Sequence, residues 1–137
     1  MITYKSKISI GLLLFLFSLF AYLAFKILSN SVNQFNVLIL LIPFIFIFYC
    51  LTSIRYTILN DNLNIKTGFL VNKTIRIATI KKIEETTNII SSPAASLDRL
   101  EVFYNHSDSI IISPKNKNQF LNNLLKINPT IEIKYKI

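Results

Sequence analysis

Two uninterrupted apolar runs, followed by a long series of short alternations, divide this chain into unlike parts. Ile8 to Phe25 reads ISIGLLLFLFSLFAYLAF and Val37 to Ile54 reads VLILLIPFIFIFYCLTSI, each eighteen residues without a charge. At about 1.5 Å per helical residue such a run covers about 27 Å, close to the roughly 30 Å hydrocarbon core once flanking residues are added. The pattern predicts a transmembrane hairpin over residues 1–54, with helices at about 8–28 and 37–54. Pro43 removes a backbone donor inside the second run and predicts a kink there. A cleaved signal peptide fits poorly. The first run exceeds the usual apolar length, its exit Ala21-Tyr22-Leu23-Ala24 lacks the small-x-small step, and a second run follows within about a dozen residues.

Beyond Ile54 the period changes to two. Tyr56 and Ile58 share a face, Asn60-Asp61-Asn62 supplies a turn, and Leu63 and Ile65 share a face with Asn64 and Lys66 opposite, which predicts a hairpin. Gly68 breaks the pattern, Ile75 and Ile77 resume it, and Ile80 and Ile83 follow among Lys81, Lys82, Glu84 and Glu85. A small-residue stretch then leads through SSPAASLDRLEVFY into a strand with Leu100, Val102 and Tyr104 on one face. The turn formers Asn105 to Asp108 connect it to Ser109–Ser113 as a second hairpin.

A helix is predicted next. Ser113 suits its cap, Pro114 its first position, and Asn128-Pro129 its end, with Phe120, Leu121, Leu124 and Leu125 as the buried stripe. The tail TIEIKYKI alternates again, with Ile131, Ile133, Tyr135 and Ile137 on one face of a further strand. Residues 55–137 therefore form a mainly β domain whose sheet surface is covered by one helix.

Charge adds an orientation. Lys5 and Lys7 flank the first apolar run and Arg55 closes the second, while the connector Ser29 to Asn36 is uncharged. The positive-inside tendency then places both termini and the domain in the cytoplasm of a multi-pass inner or plasma membrane protein, with Lys26 snorkelling at the outer end. The domain holds 12 of the 15 Lys and Arg and all 7 acids, a net +5 (12 − 7), so weak attraction to anionic lipid accompanies the tether.

The inventory is poor in catalytic parts. One histidine, one cysteine within an apolar run, and two glycines supply no metal cluster, nucleophile pair or phosphate loop, so neither enzyme activity nor a cofactor nor a metal is expected. Cys50 has no partner for an internal disulfide, and no motif supports nucleic-acid binding.

Four stretches, YTILNDNLNIKTG, IRIATIKKIEET, SSPAASLDRLEVFY and IIISPKNKNQFLNNL, resemble the bacterial pleckstrin-homology-like (PH-like) domain of the YyaB-like group of small membrane proteins. The resemblance implies two bent antiparallel sheets closed by a carboxy-terminal helix. It does not imply phosphoinositide binding, because the first hairpin turns through Asn60-Asp61-Asn62 with an acid and no lysine. Candidate partner-binding residues are Lys73, Arg76, Lys81 and Lys82 in the basic stretch, and Asp98 and Arg99 in the SSPAAS run. That run reads as a joint between sheets, with Ser96 and Asp98 bonding local backbone and Arg99 pairing with Asp98 or a facing acid. The leading expectation is a membrane-anchored binding or scaffolding module whose partner is a protein or peptide. The alternative is an immunity or stress-protection protein against a membrane-active toxin, which a toxin gene beside this one would favour.

Overall fold

The computed structural model describes residues 1–29, 35–88 and 95–135. Most of the connector between the apolar runs, Ser91 to Ala94 of the small-residue run, and Ile137 of the alternating tail lie outside the described residues.

The chain begins with a strand where the sequence reading saw only a helix flank. β1 (Ile2–Lys5) buries Tyr4 and pairs antiparallel with β2 (Ile54–Leu59), Tyr4 standing opposite Tyr56. Between these neighbours run two helices, α1 (Ile10–Ser29) and α2 (Phe35–Thr52). They touch where the Phe44 ring lies 5.2 Å from Phe17 and 4.6 Å from Phe20, one residue beyond Pro43. Both apolar runs are trimmed at their domain ends. Ile8 and Leu51 pack partly against the β core, and Ile54 is a core residue opposite Thr67. α1 is long and apolar enough to cross a membrane, whereas the apolar part of α2, Leu38–Thr52, is shorter; the expected pair of spans is therefore one clear span and one shorter helix.

The hairpin of β2 and β3 (Asn62–Thr67) forms as expected, turning through Asn60 at φ 51°. Asparagine is among the few side chains that adopt this left-handed conformation readily. β3 pairs in turn with β4 (Val71–Arg76), completing a four-stranded sheet in the order β1-β2-β3-β4. A single 3-10 turn, Ile77–Thr79, bends the chain into β5 (Ile80–Thr86). The register slips between Ile80 and Lys82, so Ile80 and Ile83, three residues apart, both point inward. An extra residue in a bulge produces this shift.

β6 (Arg99–Tyr104) and β7 (Asp108–Ile112) form the second expected hairpin, followed by α3 (Lys117–Ile127) and β8 (Glu132–Lys134). The second sheet runs β7-β6-β5-β8. β8 lies parallel to β5, so this sheet is mixed where an antiparallel one was expected.

α3 starts later than Ser113 and Pro114 suggested. The Ser113 hydroxyl pairs with that of Ser6 at 2.9 Å and Pro114 bridges Ser6, so both belong to the seam between sheets; Asn116 occupies the cap position instead. The other end agrees with the sequence. Asn128 caps it, and its amide donates to the Ile77 and Ile80 carbonyls at 3.0 and 3.3 Å, fastening the helix to the 3-10 corner. Phe120, Leu121 and Leu124 are buried, with Phe120 edge-on to Tyr4 at 5.3 Å and to Tyr56 at 6.4 Å. Each such side chain contributes roughly 1.5–3 kcal/mol of burial before entropy is counted.

Candidate functional site

The seam between β1 and β7 is built from polar groups. Tyr56, fully buried, accepts a hydrogen bond from the Ser113 backbone N–H at 3.1 Å and donates to the Ser6 hydroxyl at 3.3 Å. Burial pushes the Tyr56 pKa up, against the lowering effect of its bonds to Ser113 and Ser6, so it remains a neutral donor. The strap Ser6 to Ser9 is stitched to both sides: Lys7 N–H donates to Ser113 O at 2.7 Å and Ser9 N–H to Ala95 O at 3.0 Å. Ala95 is fully buried where this strap crosses.

Arg99 and Asp98 sit beside this seam in different roles. Arg99 is buried and makes no ion pair among the described residues; its guanidinium donates to the Ser96 carbonyl and, at 2.8 Å, to the Asn88 carbonyl. It therefore ties Asn88 to Ser96, while the Ser96 hydroxyl accepts from the Asp98 N–H at 3.2 Å. Asp98 binds Lys7 at 2.7 Å and Lys117 at 2.5 Å, and Lys117 continues to Glu85 at 2.5 Å. Partial burial raises the Asp98 pKa, but the bonds from Lys117 and Lys7 outweigh it and hold the carboxyl below its ordinary value. Lys117 shows the mirror effect: burial lowers its pKa, but the bonds to the Asp98 and Glu85 carboxylates outweigh this and hold it above its ordinary value. A cleft of about 320 Å³ opens beside this chain of charges, lined by Glu85, Thr86, Thr87, Leu97, Asp98, Arg99 and Lys117.

The four basic candidates fall on two strands, one in each sheet. Lys73 and Arg76 lie on β4, the outer strand of its sheet, and Lys81 and Lys82 lie on β5. The Lys73 ammonium stands 5.1 Å from the Tyr104 ring centroid, and Lys82 is held by Glu84 and by the Phe103 ring. Arg76 lines a shallow cleft of about 180 Å³ with Thr74, Ile75, Thr79, Tyr104 and Asn105. Lys81 is exposed. Of the six candidates, Asp98 and Arg99 line one cleft, where Arg99 is bonded to the Ser96 and Asn88 carbonyls.

Ser6, Tyr56, Ser113 and Lys117 escaped the sequence reading as a group. Ser113 was legible only as a helix cap and Lys7 only as a membrane flank, because Ser113 lies more than a hundred positions from the Ser6 and Lys7 groups it bonds. Among the described residues, no group of three or more His, Cys, Asp or Glu is placed to hold a metal.

A family model described as a bacterial PH domain matches residues 54–128, more than half of the chain. No curated protein and no solved structure matches it. The matched region runs from the first core residue of β2 to the cap of α3, and so takes in the strands β2 to β7 and the closing helix. With two packed sheets and that helix across them, the chain belongs to the bacterial PH domain family.

Proposed function

We propose that this protein is a non-catalytic binding module held at the inner face of a bacterial membrane by the α1–α2 hairpin, and that it takes an extended protein or peptide segment along β4. The pairing of β1 with β2 carries the membrane reading. Because these strands are hydrogen-bonded neighbours, the chain leaves the sheet into α1 and returns from α2 to the same place. Two crossings meet that constraint; one crossing would put β2 on the opposite side from β1. The constraint also keeps Lys5, Lys7 and Arg55 on the side of the basic domain and leaves Lys26 at the far end of α1, which favours a cytoplasmic domain. Phe15, Phe25, Ile42 and Ile45 are each more than 60% exposed, an apolar surface that lipid covers at no cost in hydration.

β4 supports the peptide reading. It ends its sheet, and an added strand gains main-chain hydrogen bonds along such an edge. Lys73 and Arg76 discourage a second copy from docking there and suit an acidic segment, while the cleft at Arg76 and Tyr104 offers a recess for a side chain. A photo-crosslinking residue at Thr74, compared with one at Asn122 on α3, tests this in intact membranes. A defined adduct at Thr74 that is lost on combining Lys73→Glu with Arg76→Glu is expected; identical adducts at both positions would remove the peptide reading.

A further inference from the structure

A second basic group lies across the strands β1, β2 and β3. Lys5, Arg55 and Lys66 stand directly opposite one another across β1, β2 and β3, and all three are exposed. Tyr4, Tyr56 and Ile65, their neighbours along each strand, point into the core, so the three cations project outward from the same face. Directly opposed residues of an antiparallel pair hold their Cβ atoms about 5 Å apart, and like charges there repel. Lys7, Lys82, Lys117 and Lys134 each have a carboxylate partner; among the described residues Lys5, Arg55 and Lys66 make no ion pair. A row of unneutralised cations is a stability cost that an external anion relieves.

A cleft of about 420 Å³ lies at that row, where α2 runs into β2. It is lined by Tyr49, Thr52, Ser53, Arg55, Lys66 and Gly68. The Thr52 hydroxyl already donates back to the Phe48 and Tyr49 carbonyls, so the remaining donor groups in the lining are Arg55, Lys66 and the Tyr49 and Ser53 hydroxyls. Guanidinium and ammonium with two hydroxyls is a donor set suited to a phosphate.

The surroundings specify the kind of phosphate. The β3–β4 turn lies against the end of α2, with the Phe69 ring 6.1 Å from Phe46 and 6.4 Å from Tyr49. Gly68 makes the approach possible: its φ is 50°, and a Cβ there would lie 3.1 Å from the Tyr49 ring. Phe69 and Leu70 are 73% and 56% exposed in the β3–β4 turn, beside an apolar helix. An aromatic and a leucine at that level suit the interfacial layer, and a cation cleft alongside them then lies at headgroup depth.

We infer that the cleft between α2, β2 and β3 binds the phosphate of an anionic phospholipid headgroup through Arg55 and Lys66, with Lys5 extending the row. The inference rests on α1 and α2 lying in a bilayer. The test uses the full chain in phosphatidylcholine vesicles, with spin-labelled phosphatidylglycerol or phosphatidylcholine as probe. Wild type prefers the anionic probe, Lys66→Gln lowers that preference about fivefold, the equivalent of about 1 kcal/mol per juxtamembrane cation, and Lys126→Gln on α3 leaves it unchanged. Equal losses from both variants would reduce the effect to general surface charge and overturn the site. Erasure of the preference by excess inorganic phosphate would assign the cleft to a free anion instead and overturn the lipid source. Thermal unfolding of Lys66→Gln in neutral detergent should match or exceed wild type, because a repulsion is removed. Carbonate extraction separates the two layers of the reading: release of the protein overturns the membrane hairpin and the inference with it, whereas retention without lipid preference overturns the inference alone.

Discussion

Tyr56 and Tyr104 are both buried tyrosines, yet one hydroxyl joins β2 to β1 and β7 while the other makes no hydrogen bond among the described residues. They mark two corners of the same fold. At the β1–β7 corner, Ser6, Tyr56 and Ser113 satisfy one another and the strap Ser6–Ser9 is held from both sides. At the β4–β5 corner the chain turns over apolar Ile77 and Ile80, with the Asn128 amide as the polar tie. A satisfied buried network fixes one arrangement of its elements, whereas a corner made of apolar contacts and an orphaned hydroxyl tolerates adjustment. The tight corner sits where the helices join the domain, and the looser one sits beside the edge strand proposed to receive a partner.

The comparison can be broken most forcefully at Tyr56. Tyr56→Ala removes a ring packed near Phe120 together with the hydroxyl, and should cost about 3–5 kcal/mol in denaturant unfolding of the full chain in detergent. Tyr56→Phe keeps the ring but leaves the Ser113 N–H without this acceptor, for a loss of about 1–3 kcal/mol. Tyr104→Phe is the matching change at the other corner. It should be neutral or raise stability by up to about 1 kcal/mol, since it removes a hydroxyl that is buried without a partner. Equal losses from the two Tyr→Phe variants would erase the distinction between the corners.

Asp98→Asn gives the smallest loss at the tight corner. The carboxyl is about a third exposed, so solvent screening limits its ion pairs to about 0–1 kcal/mol. Its pKa is depressed in the folded state; the contribution is therefore present above the ordinary carboxylate pKa of 3.8 and is lost as pH falls through the lower folded value. Lys117 works the opposite way, its contribution full below 10.5 and lost as pH rises through its raised folded pKa. Acid and alkaline unfolding of Asp98→Asn should accordingly show a smaller pH dependence than wild type at both ends.

Local patterns made much of the domain legible. The β2–β3 turn, the β6–β7 hairpin and the end of α3 at Asn128 depend on residues adjacent in sequence, and the structure follows them. What escaped depends on distant partners. Ser113 reads as a helix cap until Ser6 is brought to its hydroxyl, and Arg99 reads as a surface cation until the Asn88 and Ser96 carbonyls are folded around it. The inward pointing of both Ile80 and Ile83 required a bulge that no strict alternation encodes. β1 was hidden for a similar reason, its four residues pairing with a strand that appears only after two helices.

That last pairing sets an order of assembly. β1 is synthesised before α1 and α2, but its partner does not exist until both are complete, so the sheet closes only after both helices have been made. Loss of that pairing would leave Ile2–Lys5 away from β2, exposing the β2 edge and leaving Tyr56 without Ser6. A fragment cut at the family boundary, residue 54, would suffer the same defect by design, because the folding unit extends across the helices to the strand on their far side.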